Sequence, residues 1–255
     1  KYDVFGLELD FQREMWCFDY VNEPDAAEIM TQFVRDIAAI VEDAEKIHGH
    51  DMKLMIRLGS DVENNLIFGY DVATWAEERL IDAVVPSPHH IPIDSDIPVA
   101  EWVEAVGDEV AIFTGFDCQV MFDLPTSLKY VKGLAAGFMS QGADGLYFNN
   151  FYQISSSGPM IFPLSPDAVS EGDRTYVATC EYPIPIGGTS HNRLPLSLGG
   201  IGEEGLDTEV CMGVVREEEK IRVSVGYNLE DGVVPPMEIT VNGISPVEVK
   251  ESKIN

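Results

Sequence analysis

Residues 2–14 read YDVFGLELDFQRE, and the fold turns on the six residues from Gly6 to Phe11. Leu7, Leu9 and Phe11 alternate with Gly6, Glu8 and Asp10. Period-two alternation predicts a strand with one apolar face. The other face carries two carboxylates and no lysine, which an exposed edge strand would more often hold. The segment then runs into Gln12, Arg13 and Glu14. Such a strand suits the inside of a barrel or the end of an α/β sheet, where function gathers at the carboxyl ends of strands. The plainer reading is a half-buried strand with solvated acids.

The rest of the first half alternates helices with strands. Ile29, Phe33, Ile37, Ile40, Ala44 and Ile47 recur at three- and four-residue steps, predicting a helix over 24–48 that stops at Gly49. Strands are predicted at 52–58, 82–86, 109–114 and 144–151. Between them lie helices at 72–80, 98–106 and 126–141, the first capped by Asp71. A step of roughly 30–40 residues between strands implies parallel pairing through helical crossovers. The first and last strands echo each other as FGLELDF and DGLYFNNF. Aligned on glycine, Glu8 and Asp10 match Tyr147 and Asn149, as a barrel lumen requires.

Composition changes near Tyr152. We place a domain over 1–152, a Ser-, Gly- and Pro-rich linker over 153–173, and a small β-sandwich over 174–255. In that last part no helix is predicted, and the strands fall at 174–182, 209–215, 220–227 and 237–242.

The 255 residues include 44 acids and 16 bases, a formal charge of −28. That balance excludes nucleic acid and anionic membrane as partners. No apolar run reaches transmembrane length. The chain starts at Lys1 and shows no signal peptide, so its compartment stays open, a secreted or periplasmic location included. Cys17, Cys118, Cys180 and Cys211 form no CxxC pair and no zinc pattern. They read as isolated buried thiols, with a single disulfide as the alternative. No Gly-rich phosphate loop is present, and no cofactor or metal is expected.

The GLELDF segment resembles the fourth strand of TIM barrels in the glycosyl-hydrolase-like group. MIRL, GYDVATWAEERLIDAVVPS, VAEWV and ADGLYFNNF are similar to later parts of that family's chain. The resemblance covers most of 2–151. It implies a (β/α) barrel portion of about five strands, the fourth to the eighth, followed by the all-β domain. A whole barrel takes eight strands and about 250 residues. The chain is therefore expected to form an open arc with an apolar edge. The missing N-terminal part of the same protein, or another chain, would cover that edge. A complete five-stranded doubly wound domain is the alternative.

The resemblance also implies glycoside hydrolysis, which needs two carboxyl groups across the scissile bond. Asp10 is the first candidate, with Glu8 and Asp117 as the others. Gln12 stands where chitinase-type barrels place a catalytic Glu, and Phe5 replaces the family's leading Asp. Arg13, Arg57, His89, His90, Asn149 and Tyr70 are the candidate contacts to the carbohydrate substrate. Trp16 and Tyr20 are further aromatics able to stack on sugar rings. Asp10 is expected at the mouth of the main cleft, within reach of Arg57 and Asn149, while Glu8 and Arg57 are also expected to form a structural ion pair. An Asp10→Asn change is expected to act on turnover and to leave the melting temperature nearly unchanged. A silent carbohydrate-binding barrel and a structural module are the other readings.

Overall fold

In the computed structural model, the described residues are 4–12, 15–19, 23–88, 97–117, 119–121, 124–125, 127–149, 165–177, 212–223 and 243–245, with single positions at 210 and 240. The first strand, β1 (Gly6–Asp10), leads to the long helix α1 (Ala26–His48) and then to β2 (Lys53–Gly59). Gly49 ends α1 in the left-handed region at φ 76°, donating its N–H to the Glu45 carbonyl. Glycine takes that conformation without a Cβ penalty.

Two short helices follow, α2 (Val62–Ile67) and α3 (Val72–Glu77). Asp61 caps the first by accepting from the Asn64 N–H, and Asp71 caps the second by accepting from the Thr74 N–H. The sequence reading missed α2, because VENNLI is too short to show a helical period. Strand β3 (Ala83–Ser87), helix α4 (Val99–Val106) and strand β4 (Ala111–Asp117) come next. A small antiparallel pair, β5 (Gln119–Met121) and β6 (Leu124–Pro125), occupies ground expected to be loop. Ser127 then caps α5 (Leu128–Gln141), which leads to β7 (Gly145–Asn149). A one-turn helix, α6 (Pro166–Ser170), starts on Ser165 and Pro166 within the expected linker.

The large sheet runs β1-β2-β3-β4-β7, every neighbour parallel. Each strand lies beside its predecessor, and the order never reverses. Right-handed crossovers that advance in one direction put their helices on a single face. The doubly wound alternative, which needs a reversal and helices on both faces, is thereby corrected. The protein is an α/β structure whose five-stranded sheet curls into a half-barrel.

The core lies between the convex face and the helices. Leu54, Ile56 and Leu58 of β2 point outward to meet Val34, Trp75 and Trp102, all buried. Leu9 and Phe11 pack against the same cluster, as the alternation requires. Leu7 departs from it and is exposed, because it sits on the outermost strand.

Residues 1–215 form one compact unit and residues 216–255 a second. Residues 174–177, 212–215 and 220–223 are described and carry no strand. Thr175 nevertheless docks on α5, its N–H donating to the Lys129 carbonyl. Gly133 of α5 permits this approach: a Cβ there would stand 2.2 Å from the Thr175 carbonyl oxygen.

Candidate active site on the concave face

Strand alternation selects the residues opposite the core. With Leu9 and Phe11 outward, Glu8 and Asp10 belong to the concave face, and Arg57 follows between Ile56 and Leu58. Asp10 and Arg57 are direct neighbours in the β1–β2 register, and Gly59 and Ser87 are partners in β2–β3. On β7, Leu146 and Phe148 pack outward, leaving Tyr147 and Asn149 to the other face.

Arg57 is the centre of the cluster. Its Nη1 donates to both Asp10 oxygens, at 3.0 Å and 2.9 Å. Its Nε donates to Ser87 Oγ at 3.3 Å. The guanidinium carbon also lies 5.7 Å from the centroid of the Tyr147 ring, within cation–π range. The Arg57 side chain is 7% exposed and that of Asp10 45%. The pair therefore spans the floor and the mouth of the half-barrel, and the guanidinium is held from three directions.

Gly115 makes room for this arrangement. It pairs with Tyr147 in the β4–β7 register, and a Cβ on it would fall 1.8 Å from Ser87 Oγ. Any side chain there would displace the serine that Arg57 grips.

Glu8 binds elsewhere than expected. It accepts a hydrogen bond from the Tyr147 hydroxyl at 3.0 Å, across the concavity from β7 to β1. Asp10 meets Arg57 as its inward-facing position leads one to expect, and the anticipated Glu8–Arg57 pair gives way to it. Asp10 is the β1 residue in direct register with Arg57, whereas Glu8 lies one pleat deeper beside Met55.

Burial, reinforced by the negative charge and hydrogen bond of Glu8, pushes the Tyr147 phenol up from 10.0 to about 12. Tyr147 is therefore a neutral donor over the physiological range. Its folded pKa lies above the unfolded one, so its contribution to stability is whole below pH 10.0 and is lost as pH rises toward 12. Spectrophotometric titration should show a phenol ionising near the top of that window. Tyr147→Phe should remove that step and flatten the alkaline decline in stability.

No protein-family model matches the chain, and no curated protein matches it.

The other candidates fall in several places. Asp117 ends β4 in register with Asn149, so the two stand at the carboxyl ends of adjacent strands. Tyr70 is corrected: it is fully buried, stacked on Phe11 at 4.9 Å, and its hydroxyl donates to the Met15 carbonyl at 2.7 Å. Burial, with a smaller contribution from Cys17, raises its phenol pKa far above the usual range. It stacks on a core ring and offers no face to a sugar. Trp16 does stay half exposed, tilted against Phe68.

Cys17 is exposed, against the expectation of a buried thiol. Its sulfur nevertheless stands 3.4 Å from the hydroxyl of the buried Tyr70. Arg13, Tyr20, His89, His90, Cys118, Cys180 and Cys211 lie outside the described residues. Among the described residues, no group of three or more His, Cys, Asp or Glu is placed to hold a metal ion, and no helix is long and apolar enough to cross a membrane.

Gln12 is 1% exposed, and neither side-chain amide atom has a hydrogen-bond partner among the described residues. It therefore does not stand as a solvent-facing group at the mouth. Ser87 and Gly115 were missed as site residues by sequence reasoning. Ser87 read as the start of a loop, and Gly115 has no side chain to notice. Tyr147 had a signal, its alignment with Glu8, but an aromatic in a strand reads first as core.

Proposed function

We propose that the curled sheet is part of a TIM barrel of the glycoside-hydrolase type, and that its concave polar cluster is a carbohydrate site. The observation that carries this reading is the pairing of two carboxylates with two fixed donors on one face: Asp10 with Arg57, and Glu8 with Tyr147. Carboxylates at i and i+2 of one strand start about 6.6 Å apart at Cβ. Glycosidic hydrolysis uses carboxyl groups separated by about 5–9.5 Å. The positions also fit the rule that barrel chemistry sits at the carboxyl ends of strands.

In this reading Asp10 is the nucleophile, the base or the stabiliser of positive charge on the sugar. It lies at the mouth, where water and substrate arrive, and Arg57 fixes its orientation. Glu8 is deeper, and the neutral Tyr147 hydroxyl orients it. Glu8 or Asp117 supplies the second carboxyl group. Asn149 offers an amide to sugar hydroxyls, and Trp16 an exposed ring face. Domains at 1–152 and 174–255, the latter a β-sandwich without catalytic groups, complete the proposed organisation.

Two observations favour a second reading, a barrel that binds carbohydrate without cleaving it. Both carboxylates are already engaged inside the protein, and Gln12 replaces the acid that chitinase-type barrels use. Assay on a panel of neutral and acidic polysaccharides separates the two. Release of reducing ends supports the hydrolase. Saturable binding without release selects the silent barrel. Neither binding nor release across the panel would sink both.

A further inference from the structure

The sheet has an apolar flank at β1. Phe5 is 78% exposed, and Leu7 is also open to solvent. Among the described residues, β1 pairs only with β2. Helix α1 carries a matching strip. Ile29, Phe33, Ile40 and Ile47 are all exposed, Ile47 at 79%. At about 100° per residue these four fall within roughly 40° of arc. They are not the core face, which Met30, Val34 and Val41 provide. The strip adjoins the strand, since Phe33 meets Phe11, the residue after β1, edge-on at 6.4 Å.

We infer that this flank is the seat of a βα unit that precedes β1 in the same polypeptide, its strand parallel to β1 and its helix lying on the α1 strip. The inference rests on the barrel part of the proposed function and not on the sugar chemistry. Three observations select this occupant.

The first is order. Every strand of the sheet lies beside its predecessor, so the place next to β1 belongs to whatever strand comes before it. The second is curvature. β1 and β7 stand four steps apart in the sheet, yet the Tyr147 hydroxyl reaches Glu8 across the concavity. In an eight-stranded barrel four steps are half the circumference, and side chains of facing strands just fill the lumen. A sheet of this curvature leaves room for about three more strands.

The third is charge. At −28 per chain, two copies repel. Asp36 and Asp43, both exposed, lie along the margin of the strip, so joining two such faces would also bring carboxylates together.

The test compares the 255-residue chain with the same chain extended through the residues encoded upstream of Lys1. Hydrogen exchange is followed at the β1 amides, and association by sedimentation. In the extended protein the amides of Gly6–Asp10 should exchange at least about tenfold more slowly. Phe5→Lys should reverse that protection there and change little in the shorter chain. If Phe5→Lys prevents the extended protein from folding, Ile40→Gln supplies the same comparison at the helix strip.

Equal β1 exchange rates in the two proteins would overturn the inference. So would a dimer of the shorter chain that protects β1 and dissociates on Phe5→Lys, which would assign the flank to a second copy. Neither readout uses turnover, so a failed glycosidase reading leaves this test intact.

Discussion

Asp10→Asn is expected to lower turnover on whichever polysaccharide the panel identifies by about 10²–10⁴-fold, the range for loss of one positioned acid–base group. Asparagine keeps an oxygen for Arg57 but removes the negative charge that the proposed mechanism uses. The structure changes the expectation for stability. Arg57 is buried, and Asp10 is its carboxylate partner. Weakening a hydrogen bond to a charged group costs about 1–3 kcal/mol. The exposure of Asp10 places this case at the low end, because water screens the pair and the asparagine oxygen still accepts from the guanidinium. A fall of roughly 2–4 °C in Tm is the result, where sequence reasoning expected almost none. Kinetics and thermal melts on the same preparation check both parts. Wild-type turnover in the variant would remove Asp10 from the mechanism.

The largest effect on stability is expected at Trp102. Its side chain is fully buried between α4 and the convex sheet face, and its Nε1 donates to the Ser60 carbonyl at 2.7 Å. Trp102→Ala deletes that bond and leaves a large cavity. Such changes cost about 3–5 kcal/mol, a third or more of the stability of many domains. Trp75→Ala should behave similarly, since that ring is equally buried and its Nε1 donates to Thr31 Oγ1 at 2.9 Å. Trp16→Ala is the control: its ring is half exposed, so the loss should be far smaller. Urea titrations of the three variants give the comparison. Equal losses at Trp16 and Trp102 would contradict the assignment of the core to the convex face.

The parallel sheet was legible because its signals are local. Alternation in GLELD, the α1 period and the glycine at 49 each fix an element without knowledge of its neighbours. Pairings across the sheet were not local, and they were read less well. The inward-facing argument for β1 put Asp10 within reach of Arg57, and the register bears that contact out. The expected Glu8–Arg57 ion pair failed by one pleat, a difference in register that the sequence does not mark. Tyr70 failed for another reason. A tyrosine after Gly69 looks like a loop residue, yet the turn folds it under Phe11, where burial needs only one partner for its hydroxyl. Helix α2 and the β5–β6 pair were too short for their periods to show. The Glu8–Tyr147 contact joins residues 139 apart. Only the glycine-aligned echo between the first and last strands hinted at it.

The central claim is that the concave face bearing Glu8, Asp10, Arg57 and Tyr147 is a carbohydrate site. Hydrogen exchange with and without oligosaccharides drawn from the panel tests it most directly. We expect a bound oligosaccharide to slow exchange at the carboxyl ends of β1, β2, β3 and β7, with Tyr147→Phe weakening the effect. Protection confined to the outer helices, or no change with any oligosaccharide, would contradict the claim.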